Sequence, residues 1–179
     1  MGESPGLERA RVFRGKQLTP EDFELQQHNF REKLKRHNRN LHGFGIVSGL
    51  KVRVNSGQIV VEPGFALDCE GNELLVGSER SQISQPTAAW RTAYVNIRFV
   101  AGCANPAPMA AGEEASGVTV HSAEGFELTV APENCNRGHR HLRARWLACG
   151  RAHALTIARL RHNSQGWCVD RGYRAPHIK

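Results

Sequence analysis

The side chains with the most chemical potential crowd into one stretch, "CNRGHRHLRARWLACGRAH", which holds Cys135, His139, His141, Cys149 and His153. Thiolates and imidazoles are the usual ligands of tetrahedral zinc, and His139 and His141 share a face if the segment is extended. Four of these five groups would complete a closed shell with no position for a catalytic water. If a metal is bound here, it is therefore a single structural Zn2+, ordering a loop that lacks apolar residues of its own. The spacing matches no known zinc finger, and two other readings stay open. One is an Arg- and His-rich surface loop with incidental cysteines, and the other is a disulfide. Cys69 lies on a predicted strand and turn far back in the chain, while Cys103 and Cys168 have no neighbouring histidine. Five cysteines without C-x-x-C spacing suit free thiols or metal ligands better than a disulfide framework.

Catalytic constellations are missing elsewhere. There is no G-x-S-x-G, no G-x-x-x-x-G-K-[ST] and no G-x-G-x-x-G. The glycines of "HGFGIVSG" precede a strand instead of following one, so no helix N-terminus stands ready for a phosphate. Asp68 and Glu70 flank Cys69 at a predicted turn, where neighbouring acids are expected to be solvated. The chain reads as a non-enzyme, with no catalytic residue and no cofactor apart from the possible Zn2+.

One helix and a series of short strands must position these groups. Thr19 can cap a helix, Pro20 suits its first position, and Asp22 stands where a capping-box acid reaches back. Glu21, Asp22 and Glu24 crowd its start, and Arg31, Lys33, Lys35, Arg36 and Arg39 its second half, an order that complements the helix dipole. Phe23, Phe30, Leu34, His37 and Leu41 recur at spacings of seven, four, three and four and so form one face. One amphipathic helix over about 20–40 results. Gly43 is placed to end it in the left-handed conformation.

After Gly43 the period changes to two. Ile46 to Val54 reads as a strand, "NSG" as a tight turn and "QIVVEPG" as the returning strand. "FALDCEGNELLVG" reads as a second pair turning at "CEGN". Gly45 and Gly49 permit bends or close backbone approach at this helix-to-sheet corner. "AYVNIRFV" and "VTVHSAEGFELTVAPE" supply further strands, and "ALTIARLRHNSQGWCVD" a closing hairpin turning at Asn163 to Gly166. Long loops are expected at about 101–117 and 133–150. The fold class is α+β, mainly β: one N-terminal helix, then an antiparallel β-sandwich or barrel-like sheet over 45–170, in a single domain spanning 1–179.

The 179 residues carry a formal charge of +7, with Lys and Arg spread over the helix, the strands and the C-terminal third. That spread suits solvated faces better than specific nucleic-acid recognition, though a basic nucleic-acid-associated module stays as an alternative, as does a zinc-stabilised binding domain of another kind. No run of 18 apolar residues exists, so no membrane insertion is expected. The first residues have no apolar core of a secretory leader, and cytoplasmic synthesis is expected.

The run "RGKQLTPEDFELQQHNFREKLKRHNRNLHGFGIVSGLKV" resembles the start of a family of small proteins encoded with phage tails and extracellular contractile injection systems. The family pattern is an aromatic with Gly-Lys-x-Leu-Thr, met by Phe13, Gly15, Lys16, Leu18 and Thr19. A helix with Asp-Phe and a Gln or Glu pair follows, met by Asp22, Phe23, Gln26 and Gln27. Then comes Asn-Arg-x-Leu-His-Gly-x-Gly-Val-Val-x-Gly-Leu-x-Val, met by Asn38, Arg39, Leu41, His42, Gly43, Gly45, Ile46, Val47, Gly49, Leu50 and Val52. "VVEPGFALDCEGNELLV" is similar to the next family segment. More distantly, "LTPEDFE" resembles the opening of the type VI secretion baseplate component that joins baseplate to membrane complex, itself like the attachment domain of phage receptor-binding proteins. The resemblance implies a structural subunit of a tail or baseplate, such as a fibre-attachment or adaptor part. Its partners would be other tail and baseplate proteins and further copies of itself, with no specific nucleic acid, first in the cytoplasm and then in a virion or tail-like particle. Phe23, Phe30 and Leu34 then serve either as intramolecular core or as oligomer contact. His42 is expected to cap or hydrogen-bond, and Gly43, Gly45 and Gly49 to build a rigid corner.

Overall fold

The computed structural model describes residues 11–55, 58–78, 80–83, 86, 89–104, 121–137 and 154–178. Helix α1 spans Pro20–His37, and its start is the capping box expected from Thr19 and Asp22. The Asp22 backbone N–H donates to Thr19 Oγ1 at 3.4 Å, and the Thr19 N–H donates to Asp22 Oδ2 at 3.2 Å. Lys16 Nζ lies 2.8 Å from the other Asp22 oxygen. This ammonium and the Thr19 N–H together hold the Asp22 carboxyl below its ordinary pKa.

The α-helix is shorter than expected, because residues Asn38–His42 form a π-helical turn. Its wider hydrogen bond runs from the Gly43 N–H to the Asn38 carbonyl at 3.0 Å. Gly43 has the expected positive φ of 79°, but its ψ of −145° places it outside the left-handed helical region. That corner of φ/ψ space is essentially reserved for glycine. No atom lies within 4 Å of where a Gly43 Cβ would stand, so a substitution there meets only backbone strain. Gly43→Val is expected to cost about 1–3 kcal/mol, read as a lower urea midpoint. An unchanged midpoint would mean that the corner is built differently.

Ten strands follow. β1 (Gly45–Gly49), β4 (Gly64–Leu67) and β5 (Glu73–Val76) make one three-stranded sheet. β2 (Val52–Asn55), β3 (Gln58–Val61) and β6 (Arg80–Ile83) make a second. β7 (Thr92–Ala104), β8 (His121–Ala131), β9 (Ala154–Asn163) and β10 (Gly166–Val169) form a four-stranded antiparallel sheet in the order β10-β9-β7-β8. The expected α+β, mainly β class holds, as do the "CEGN" hairpin and the closing hairpin, with Leu67 opposite Glu73 and Asn163 opposite Gly166. Residues 101–104 belong to β7 and not to a loop; residues 105–120 lie outside the described ones.

The strand expected over Ile46 to Val54 is broken at Leu50, which has φ +54°. Backbone bonding continues across the break, from the Leu50 N–H to the Pro63 carbonyl and from the Glu62 N–H to the Lys51 carbonyl. Residues 45–55 and 58–67 are thus one kinked hairpin whose halves belong to different sheets. Glycine makes the kink possible: a Cβ on Gly49 would sit 2.1 Å from the Pro63 carbonyl oxygen. Ile59, Val61, Leu74, Val76, Val95, Ile97, Leu155 and Leu160, all fully or nearly fully buried, form the core these sheets enclose.

Two buried polar arrangements hold the ends together. In the "CEGN" turn, Asp68 is buried, contrary to the expectation of a solvated acid. Its carboxylate accepts from the backbone N–H groups of Glu70 and Asn72 at 2.8 and 2.9 Å and from Asn72 Nδ2 at 2.7 Å. Burial lifts its pKa, and these three donors oppose the rise. At the other end the tail returns to β1. The Ile46 N–H donates to the Pro176 carbonyl at 2.8 Å, and the Ile178 N–H donates to the Ile46 carbonyl at 3.0 Å.

Asp170 starts that tail. Its carboxylate accepts from the Gly172 N–H at 2.9 Å and from the Nε of Arg159 and of Arg161 at 2.6 Å each. The Gly172 N–H is the first cause, ahead of the two guanidiniums, that lowers its pKa. A depressed folded pKa contributes stability that is complete above the ordinary carboxylate pKa and is lost as pH falls through the folded value. Wild-type protein should therefore lose urea resistance below about pH 4 more steeply than Asp170→Asn. Parallel acid limbs in the two proteins would exclude this role.

Candidate assembly interface

α1 touches the body at its C-terminal end. Gly71, at φ +87°, passes so close that a Cβ there would lie 2.2 Å from the Lys35 carbonyl oxygen. Asn38, buried in the π turn, donates from Nδ2 to the Gly71 carbonyl at 3.1 Å. The turn built around Asp68 is thus the seat of the helix. Along the other two-thirds of α1, only Asn29 is buried.

Phe23, Phe30 and Leu34 are all exposed, and Phe30 is 63 % exposed. The core reading of these three residues is therefore wrong within this chain. A sheet would have covered them only if the helix lay flat, whereas the Asn38–Gly71 contact holds it by one end. Of nine large apolar side chains exposed among the described residues, seven fall between residues 12 and 41. Val12, Phe13 and Leu18 join Phe23, Phe30, Leu34 and Leu41 in this set. Val12, Leu18, Phe23 and Phe30, together with the polar Asp22, Gln26, Asn29 and Lys33, line an open groove of about 290 Å³ beside the helix. The part played by the leading segment was not read from the sequence, although Leu18 just before the cap and Phe23 in the first turn are spaced as a hydrophobic staple.

The remaining expected site residues fall in two groups. His42 Nε2 lies 3.3 Å from His37 Nε2, so it acts as a hydrogen-bonding group, and the π turn brings these two rings together. Gly43, Gly45 and Gly49 all have positive φ, and a Cβ on Gly45 would meet the Pro176 carbonyl oxygen at 2.7 Å. Of the zinc set, His139, His141, Cys149 and His153 lie outside the described residues. Cys135 is half-buried, its thiol pushed up in pKa by that burial, and its backbone N–H donates to Thr156 Oγ1 at 2.9 Å. Asn136 beside it pairs with Thr156 as a strand would: Nδ2 donates to the Thr156 carbonyl at 2.8 Å, and Oδ1 accepts from its N–H at 2.9 Å. The Thr156 hydroxyl in turn reaches Asn96 Oδ1 at 2.6 Å. This network, which the sequence does not announce, ties the start of the Cys/His segment to the central strands β7 and β9.

Chemically the described surface offers adhesion. It presents an apolar strip, acidic at the start of α1 and basic towards its end, on a platform held by buried polar bonds. No family model and no curated protein matches the chain. Among solved structures it is similar to a chain of the baseplate complex from the type VI secretion system, with TM-score 0.58 and 13 % identity over 96 % of this chain and 42 % of that one. A chain of the TssK-TssF-TssG baseplate subcomplex gives TM-score 0.52 and 13 % identity over 95 % of this chain and 62 % of that one. The crystal structure of TssK gives TM-score 0.55 and 12 % identity over 92 % and 41 %. The chain thus spans less than two-thirds of each of these proteins and shares the fold of that part.

Proposed function

We propose that this protein is a structural subunit of a phage-tail-like or contractile injection particle, serving as an adaptor in the baseplate or in fibre attachment. It acts by protein–protein assembly, with other tail or baseplate proteins and as a homo-oligomer, after synthesis in the cytoplasm. The observation that carries this reading is the exposed apolar strip of residues 12–41, mounted on a fold also found in type VI baseplate components. Contiguous exposed apolar surface of this kind marks an interaction site in a folded protein. The chemistry of the surface fits: the strip supplies adhesion, and its charged flanks supply orientation and choice of partner.

Co-purification with the products of adjacent tail and baseplate genes tests the reading. Capture of at least one of them should fall tenfold or more in Leu34→Glu, with the melting temperature unchanged because Leu34 is already exposed. No capture of any tail component by the wild type would defeat it. Submicromolar binding to one DNA or RNA sequence at physiological salt would instead favour the nucleic-acid module.

A further inference from the structure

We propose that the apolar face of α1 pairs with the same face of a second copy of this chain, the two helices running antiparallel about a two-fold axis. This inference rests on the assembly reading and names the partner of its central strip. Phe23, Phe30 and His37 stand seven residues apart and Leu34 follows Phe30 by four, the spacing of a helix seam that packs along another helix. A helix laid on its own sheet carries a broader stripe. This seam is open to solvent: its three apolar members on α1, Phe23, Phe30 and Leu34, are all exposed, and so is Leu41 in the π turn beyond it.

Charge selects the partner and its direction. The first half of α1 has Glu21, Asp22 and Glu24 and neither Lys nor Arg. The second half has Arg31, Lys33, Lys35 and Arg36 against Glu32 alone. A parallel copy would set acid against acid at one end and base against base at the other. An antiparallel copy sets each acidic turn beside the basic turns of its partner, and it also opposes the two helix dipoles. A uniformly acidic partner helix would satisfy only one half of the face. The two-fold contact is closed, so pairing consumes the face instead of propagating a fibre. An 18-residue helix is about 27 Å long, which makes the interface small and its expected affinity micromolar.

Sedimentation velocity on the full chain, from about 1 to 100 μM, tests the proposal at low and high salt. A reversible monomer–dimer equilibrium is expected, and Phe30→Glu should weaken it at least tenfold while leaving the melting temperature in place. Glu21→Gln with Glu24→Gln should weaken the dimer about two- to fivefold, and added salt should weaken it too. In a parallel pair both changes would relieve repulsion and tighten it, so tightening overturns the antiparallel arrangement. A monomer throughout the range overturns self-pairing altogether. If that monomer still captures a tail component through Phe30, the assembly reading survives alone. A dimer that captures no tail component leaves the pairing standing and removes the assembly reading.

Discussion

Gly71→Ala is expected to lower the melting temperature by about 4–20 °C and to loosen α1 from the body. Two costs add. A non-glycine residue at φ +87° pays about 1–2 kcal/mol for the left-handed conformation. The new methyl would also stand 2.2 Å from the Lys35 carbonyl oxygen and 2.9 Å from the Lys35 Cα, which are backbone atoms with no rotamer to escape into. Forcing that separation adds about 1–3 kcal/mol. The helix must move away, and the bond from Asn38 Nδ2 to the Gly71 carbonyl goes with it. Hydrogen exchange should accelerate over residues 20–42 before it does in β7 and β9. Gly77→Ala is the matched control, since no atom lies within 4 Å of its Cβ position, and its effect should stay within about 0.5 kcal/mol. Equal effects at the two glycines would remove the proposed seat.

The second large effect is expected at Thr156. Thr156→Val keeps the volume and deletes the hydroxyl that joins the Cys135 N–H to Asn96 Oδ1. Both groups are left without that partner, and Asn96 is 2 % exposed, so water cannot replace it cheaply. The expected cost is about 2–4 kcal/mol. Thr156→Ser keeps the hydroxyl and loses only a methyl, for about 0.8 kcal/mol. The diagnostic result is the order, with the isosteric variant worse than the smaller one. The reverse order would make Thr156 a packing residue and dissolve the network. Increased protease sensitivity next to Cys135 in Thr156→Val would show the network holding the start of the Cys/His segment.

Local grammar is the most legible part of this sequence. Thr19, Pro20 and Asp22 act within one turn of chain, and the capping box they announce is present. The "CEGN" and Asn163–Gly166 turns are likewise local and could be read from residue type. What failed was set by contacts distant in sequence. The break at Leu50 depends on Pro63 and Gly64 pressing against Gly49, which no window around residue 50 contains. Asp68 reads as solvated because two neighbouring acids in a turn are expected to face water, yet it is buried with its carboxylate turned onto the N–H groups of the turn it organises. The apolar face of α1 was legible as a face, while what it packs against was not. Periodicity states that a stripe wants to leave water and says nothing about which surface receives it. The network of Asn96, Asn136 and Thr156 gives no signal, because a single polar residue in a strand or turn looks alike whether it faces water or the core.

The return of the tail to β1 sets a timetable for the newborn chain. The groups that satisfy the Ile46 N–H and carbonyl belong to Pro176 and Ile178, which leave the ribosome roughly 130 residues later. At about 5–20 residues per second, β1 waits some 7–26 seconds for its last neighbour. Through that interval it presents an unpaired strand edge, the surface most prone to recruit a neighbouring nascent chain. Slower translation should therefore lower the share of this protein that is recovered intact.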